Sequence, residues 1–80
     1  MKYVYLICSK KSPSQTYVGL THDVQKRHAA HNAGQSSHTS KYAPWELVAF
    51  LGFTEKAKAA AFEEYLKSGS GRAVAVKRLW

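Results

Sequence analysis

Eighty residues with 45% hydrophobic content, five Tyr, three Phe and two Trp are enough for one hydrophobic core, and they exclude intrinsic disorder. Twelve Lys and Arg against five Asp and Glu give a formal charge of +7, a balance that attracts polyanions, nucleic acid foremost. Cys8 is the single cysteine, which excludes an internal disulfide and suits a reducing cytoplasm, and no stretch approaches the ~18 continuous apolar residues of a membrane span. A single domain over residues 1–80 is expected.

Tyr3 to Cys8 is a run of β-branched and aromatic residues and reads as a strand, with Tyr3, Tyr5 and Ile7 on one face and Val4, Leu6 and Cys8 on the other. Ser9 to Gln15 is polar, contains Pro13 and reads as the turn of an antiparallel hairpin, so Thr16 to Leu20 becomes the second strand. Thr21 or Asp23 can cap a helix over about 23–33, and Gly34 stands where a left-handed residue ends one. Gln35 to Ala43 is a loop or a single turn, in which Lys41 and Tyr42 are placed to reach a phosphate and a base. Trp45 to Phe53 is the most apolar run, and its length and aromatic content suit a central strand. Thr54 is expected to cap a second helix, with Glu55 at the positive end of its dipole and Phe62, Tyr65 and Leu66 as core anchors, until Ser68-Gly69 ends it. For Ser70 to Trp80, a short basic helix capped by Ser70 is preferred over a strand. The whole is an α+β arrangement, a three-stranded antiparallel sheet flanked by helices.

One helix breaks the amphipathic rule. Val24, Arg27, His28 and His31 fall at i, i+3, i+4 and i+7 and so share a face, the one that ordinarily packs on the core. Here it carries a guanidinium and two imidazoles, a local failure of the kind expected where function overrides packing. The four histidines and Cys8 form no finger-like spacing, so a zinc site is disfavoured.

Tyr3-Val4-Tyr5, then Tyr17-Val18-Gly19, Arg27, His31-Asn32, the strand opening Pro44-Trp45-Glu46-Leu47-Val48, and the helix Phe62-Glu63-Glu64-Tyr65-Leu66-Lys67 together resemble the GIY-YIG nuclease superfamily, in particular its small stand-alone members. The resemblance runs over essentially the whole chain. It implies hydrolysis of a DNA phosphodiester with a divalent metal, Mg²⁺ or Mn²⁺, held by Glu63. On the same resemblance Tyr5 and Tyr17 match the motif tyrosines, one of which serves as base or positions the water, while Arg27 clamps the phosphate and His31 hydrogen-bonds or donates a proton. The chemistry suits these residue types: a carboxylate is the hard oxygen ligand Mg²⁺ prefers, and the guanidinium fork suits phosphate. A phenol needs a neighbouring cation to act as a base. Gly19 is a structural position, where absence of a Cβ lets backbone and helix approach closely.

The site is expected on the sheet face between the two main helices. Lys10, Lys11, Lys26, Lys41, Lys77 and Arg78 are expected to attract the DNA backbone without sequence preference. Specificity is expected to come from structure selection, a partner protein or a homodimer, with a role in DNA repair or recombination. Leu20 follows Gly19 where many relatives carry lysine, and no asparagine follows the second helix where some have one. The alternative reading is a non-cleaving nucleic-acid-binding module on the same fold.

Overall fold

The computed structural model describes all 80 residues: β1 (Lys2–Ser9), β2 (Thr16–Thr21), α1 (Val24–Asn32), a 3₁₀ turn (Ser40–Tyr42), β3 (Trp45–Phe53), α2 (Lys56–Lys67) and α3 (Gly69–Arg78). The three strands form an antiparallel sheet of order β2-β1-β3, so the expected α+β architecture is the one observed. The position of β3 is a correction. The most apolar run lies at an edge, and β1 is central, with Val4, Tyr5, Leu6 and Ile7 at most 1% exposed. Hydrogen bonding on both sides of β1 is what buries it. β3 keeps Phe50 and Leu51 in solvent, so its apolar content does not report its depth.

The alternation expected in β1 sorts the molecule into two cores. Val4 and Leu6 pack with Ala59 and Leu66 of α2 and Ala75 of α3, flanked by Val18, Leu20 and Phe62. Tyr5 and Ile7 pack with Trp45, flanked by Tyr17, Val24 and Leu47. α1 therefore covers one face of the sheet, and α2 with α3 covers the other. Tyr65 is exposed and is not the core anchor expected, because Leu66 and Ala59 occupy the inward side of α2.

Local signals set the helix ends. Asp23 Oδ1 accepts from the Lys26 N–H at 3.0 Å and opens α1; Gly34, with φ of 76°, follows its close. At α2 the N-cap is Glu55 and makes no side-chain cap bond, one residue beyond the expected Thr54; Glu55 instead pairs with Lys58 at 3.5 Å. At α3 the cap is Ser68, whose Oγ accepts from the Gly71 N–H at 3.2 Å, and not Ser70. Ser68 closes α2 as well, since its own N–H bonds the carbonyls of Glu64 and Tyr65. One residue thus serves both helix ends, and the third helix begins earlier than its composition suggests.

The start of β3 is tied to α1 by side chains. Asn32 pairs with both backbone groups of Trp45, accepting from its N–H through Oδ1 and donating to its carbonyl through Nδ2. His28 Nε2–H donates to the same carbonyl at 2.6 Å. Ser9 Oγ donates to the Tyr42 carbonyl at 2.6 Å and the Lys10 N–H to that of Pro44 at 2.9 Å, docking the 35–44 segment on the end of β1.

Candidate functional site

In the β1–β2 register Tyr5 stands opposite Gly19, and Ile7 opposite Tyr17, so all four share the α1 face of the sheet. The Tyr5 ring lies across Gly19. A Cβ added there would overlap the Tyr5 hydroxyl and ring. The glycine is needed by a tyrosine on the neighbouring strand, and not by an approaching helix.

His31 descends from α1 onto these two rings, fully buried. Its centroid is 5.7 Å from that of Tyr5 and 5.2 Å from that of Tyr17, and the two tyrosines are 6.3 Å apart. Nε2 lies 2.7 Å from the Tyr5 hydroxyl, and Nδ1 lies 2.7 Å from the Thr39 hydroxyl. Thr39 is itself held by the Trp45 indole, whose N–H donates to its carbonyl at 2.9 Å. Trp45, Thr39, His31 and Tyr5 therefore form one buried hydrogen-bonded chain.

Electrostatics decide the charge state of that chain. Burial lowers the His31 pKa to about 4, helped by the positive charges of Arg27 and His28, so the ring is neutral near pH 7. When its proton is on Nδ1 and donated to Thr39, Nε2 accepts from the Tyr5 hydroxyl; the other tautomer reverses both bonds. Burial also raises the Tyr5 phenol above its ordinary value. The Arg27 guanidinium opposes that rise, and Tyr17 and Glu63 add to it. Tyr5 is thus the group on which Arg27, Tyr17, Glu63 and His31 all act.

Glu63 reaches this place from the other side of the sheet. α2 packs on the opposite face, yet Lys67, one turn after Glu63, carries its ammonium over the Tyr17 ring at 5.8 Å, past the edge strand β2. The expected location between two helices on one face is accordingly corrected: α1 and α2 lie on opposite faces, and their functional side chains meet at the β2 edge. Lys67 Nζ donates to Glu63 Oε2 at 2.9 Å, and the Glu63 side chain is 19% exposed. Glu64 is exposed to solvent. Leu20 packs with Val4 and Leu6 on the α2–α3 face, and the cation over the Tyr17 ring is Lys67 of α2.

The structure thus brings together Tyr5, Tyr17, Gly19, Arg27, His31 and Glu63. The six basic residues expected to bind a backbone are all exposed and are spread over four parts of the chain. Lys10 and Lys11 are in the β1–β2 turn, Lys26 is in the first turn of α1, Lys41 is in the 3₁₀ turn, and Lys77 and Arg78 are at the end of α3. Lys10 and Lys41 come to one end of the sheet through the docking of the 35–44 segment, and Lys41 sits 5.7 Å from the Tyr42 ring centroid. Thr39 and Lys67 belong to the cluster and were not legible as members. Thr39 is one of several hydroxyls in a serine-rich loop, whereas Lys67 has a signal, its i+4 spacing from Glu63.

No group of three His, Cys, Asp or Glu side chains could hold a metal ion. Glu63 is the carboxylate at the cluster, and Mg²⁺ is commonly bound by one or two carboxylates, its remaining positions being filled by water and substrate phosphate. That donor set fits a hard, largely hydrated cation and does not fit zinc. No helix is long and apolar enough to cross a membrane.

A three-stranded antiparallel sheet, crossed on either face by helices that meet at its β2 edge in a Tyr-Tyr-Arg-His-Glu cluster, defines the class. The chain belongs to the GIY-YIG family, whose catalytic domain matches residues 1–75. It is 38% identical over 65 residues to a structure-specific endonuclease subunit SLX1 homolog of Giardia intestinalis, a match that covers 76% of this chain and 18% of that protein. The chain therefore spans under a fifth of the length of that relative. It is 38% identical to a UPF0213 protein of Haloquadratum walsbyi over 68 residues, covering 82% of this chain and 73% of the relative. A UPF0213 protein of Clostridium perfringens is 37% identical, with 84% and 71% covered. Among solved structures, the solution structure of a UPF0213 protein from Bacillus halodurans superposes with a TM-score of 0.56 at 31% identity, over 96% of this chain and 84% of that one. The UPF0213 relatives are short proteins made up mostly of the matching region.

Proposed function

We propose that this chain is a divalent-metal-dependent endonuclease that hydrolyses DNA phosphodiester bonds, with selectivity for branched or interrupted structures. The observation that carries the reading is the buried Tyr5 hydroxyl, 2.7 Å from His31 Nε2, beside the Tyr17 ring and in the field of Arg27 and Glu63. It is supported by membership of the GIY-YIG family and by the likeness to a structure-specific endonuclease subunit.

Arg27 binds the scissile phosphate and offsets the charge that develops in the transition state. Tyr17, half-buried on the solvent side of Tyr5, holds the attacking water in line. The Tyr5 oxygen takes the water's proton as its own proton passes to His31 Nε2, and Thr39 keeps the accepting tautomer by receiving the Nδ1–H. Because the His31 pKa is depressed, the imidazolium then gives its proton back to Tyr5 as Tyr5 passes the one taken from water to the leaving oxygen, which restores both groups. Glu63 would hold Mg²⁺ or Mn²⁺, which when bound stabilises the leaving oxygen as a Lewis acid. Lys67 pairs with Glu63 at 2.9 Å and balances its charge.

The test is incubation of the purified protein with branched, nicked and intact duplex DNA in Mg²⁺ or Mn²⁺, beside a Glu63→Ala variant. Wild type is expected to cut at least one substrate. The variant should be slower by at least ~100-fold, beyond the roughly 10–100-fold typical of losing an outer-shell partner. Equal rates would remove Glu63 from the metal site. Cleavage of none of the substrates would leave the non-cleaving binding module.

A further inference from the structure

On the far side of Tyr17 from His31 the surface opens into a groove of about 580 Å³, between the start of β2, the end of α2 and α3. Gln15, Tyr17, Lys67, Arg72, Val76 and Trp80 line it, and no Asp or Glu side chain does. Two of its walls are incompletely covered apolar side chains: Trp80 is 37% exposed and Val76 68%. Tyr17 belongs both to this groove and to the catalytic cluster, and Lys67 spans the two from above its ring. The volume lies within the ~300–1,000 Å³ of small-ligand sites.

We propose that the groove seats an unpaired nucleotide adjoining the scissile phosphate, its base stacked on Trp80 and its phosphate held by Arg72. This inference rests on the nuclease reading and names its substrate class: a strand with a single-stranded flank, such as a flap or a branch. Three observations select that occupant. The lining has no acidic side chain and two cationic ones, Arg72 without an ion pair and Lys67 shared with Glu63, on a chain of net charge +7, so it complements a polyanion. The groove is continuous with the cluster through Tyr17, so whatever fills it adjoins whatever is cut. Trp80 offers an aromatic face, and a base inside a duplex has both of its own faces covered by neighbours, so stacking there requires an unpaired base. Gln15 stands at the rim with an amide able to bond a base edge. The arginine fork at 72 suits phosphate better than a point charge would.

A titration without metal tests the groove independently of cleavage. Trp45 is 3% exposed, so a change in tryptophan emission on adding a thymidylate pentamer reports Trp80. Wild type is expected to be quenched; with binding read by anisotropy of a labelled pentamer, Trp80→Leu should bind about tenfold more weakly and Trp80→Phe within about threefold of wild type. Arg72→Gln should weaken binding about tenfold and reduce the slope of log K against log salt by roughly 0.7, the value for one phosphate contact on a single strand. In cleavage, the ratio of kcat/KM for a flapped duplex to that for the same nicked duplex should fall at least fivefold in Trp80→Leu. Equal quenching by a duplex of the same length, or an unchanged ratio in that variant, would overturn the proposal. If no substrate is cut, the nuclease reading fails and the titration alone decides the groove.

Discussion

The two faces of the sheet are built on opposite physical terms from the same central strand. On the α2–α3 face, Val4 and Leu6 meet alanines and leucine, and cohesion is apolar burial with no direction. On the α1 face, Tyr5 meets His31, which meets Thr39, which is held by Trp45; cohesion there depends on each donor finding its acceptor. No buried side-chain polar atom is left without a partner, so the polar face is fully satisfied and correspondingly intolerant of change. The contrast shows how so short a chain can house a buried titratable network: one face contributes rigidity so that the other can carry chemistry.

The largest expected effect breaks the apolar face. Leu6→Ala truncates the largest fully buried aliphatic side chain of that core and should cost ~2–5 kcal/mol, read as a lower urea midpoint at unchanged slope. For so small a domain that is a large share of the total stability.

Acid tests the polar face. The unfolded chain protonates His31 near its ordinary value of 6.5, whereas the folded protein holds it to about 4. Between those values the unfolded state binds more protons, so stability falls as pH drops through this window, by up to roughly 3 kcal/mol, and levels off below it. Urea unfolding at pH 7 and at stepped lower pH should show this slope, and His31→Gln should flatten it. A slope unchanged in that variant would mean that other groups carry the acid sensitivity.

The smallest effect on stability sharpens the comparison. Tyr5→Phe keeps the ring over Gly19 and removes the hydroxyl, leaving a buried His31 nitrogen without its partner at a cost of ~1–3 kcal/mol. Its cleavage rate should fall far more than this loss of stability explains, because the folded fraction at 25 °C stays high. Calorimetry alongside the cleavage assay separates the two. A variant that cuts at the wild-type rate would remove Tyr5 from the proton path.

Much of this was legible from residue types and spacing, and the failures have physical causes. Strict alternation revealed the two faces of β1, and the mismatch of Arg27 and His31 with helical amphipathicity located the polar side. The depth of β3 was misread because hydrophobicity measures what a strand could bury, whereas pairing on both edges decides what it does bury. The caps slipped by one or two positions because several polar residues compete near each helix start, and tertiary docking chooses among them. Thr39 had no signal: its role exists only because Trp45 pins the loop beneath His31. The groove was hidden for the same reason, since Arg72 and Trp80 reach Tyr17 only after α3 turns back at Ser68.

The central place of β1 also orders how the protein would come apart. Amide groups of its buried residues are shielded by a strand on either side, so their exchange with solvent hydrogen should require opening of the whole molecule. α3 is tied mainly to α2, and its amides should exchange through smaller, more frequent openings. Tyr5 rides on the slowest-exchanging part and Trp80 beside the fastest. On warming, discrimination among substrates would therefore be lost before the ability to cut them.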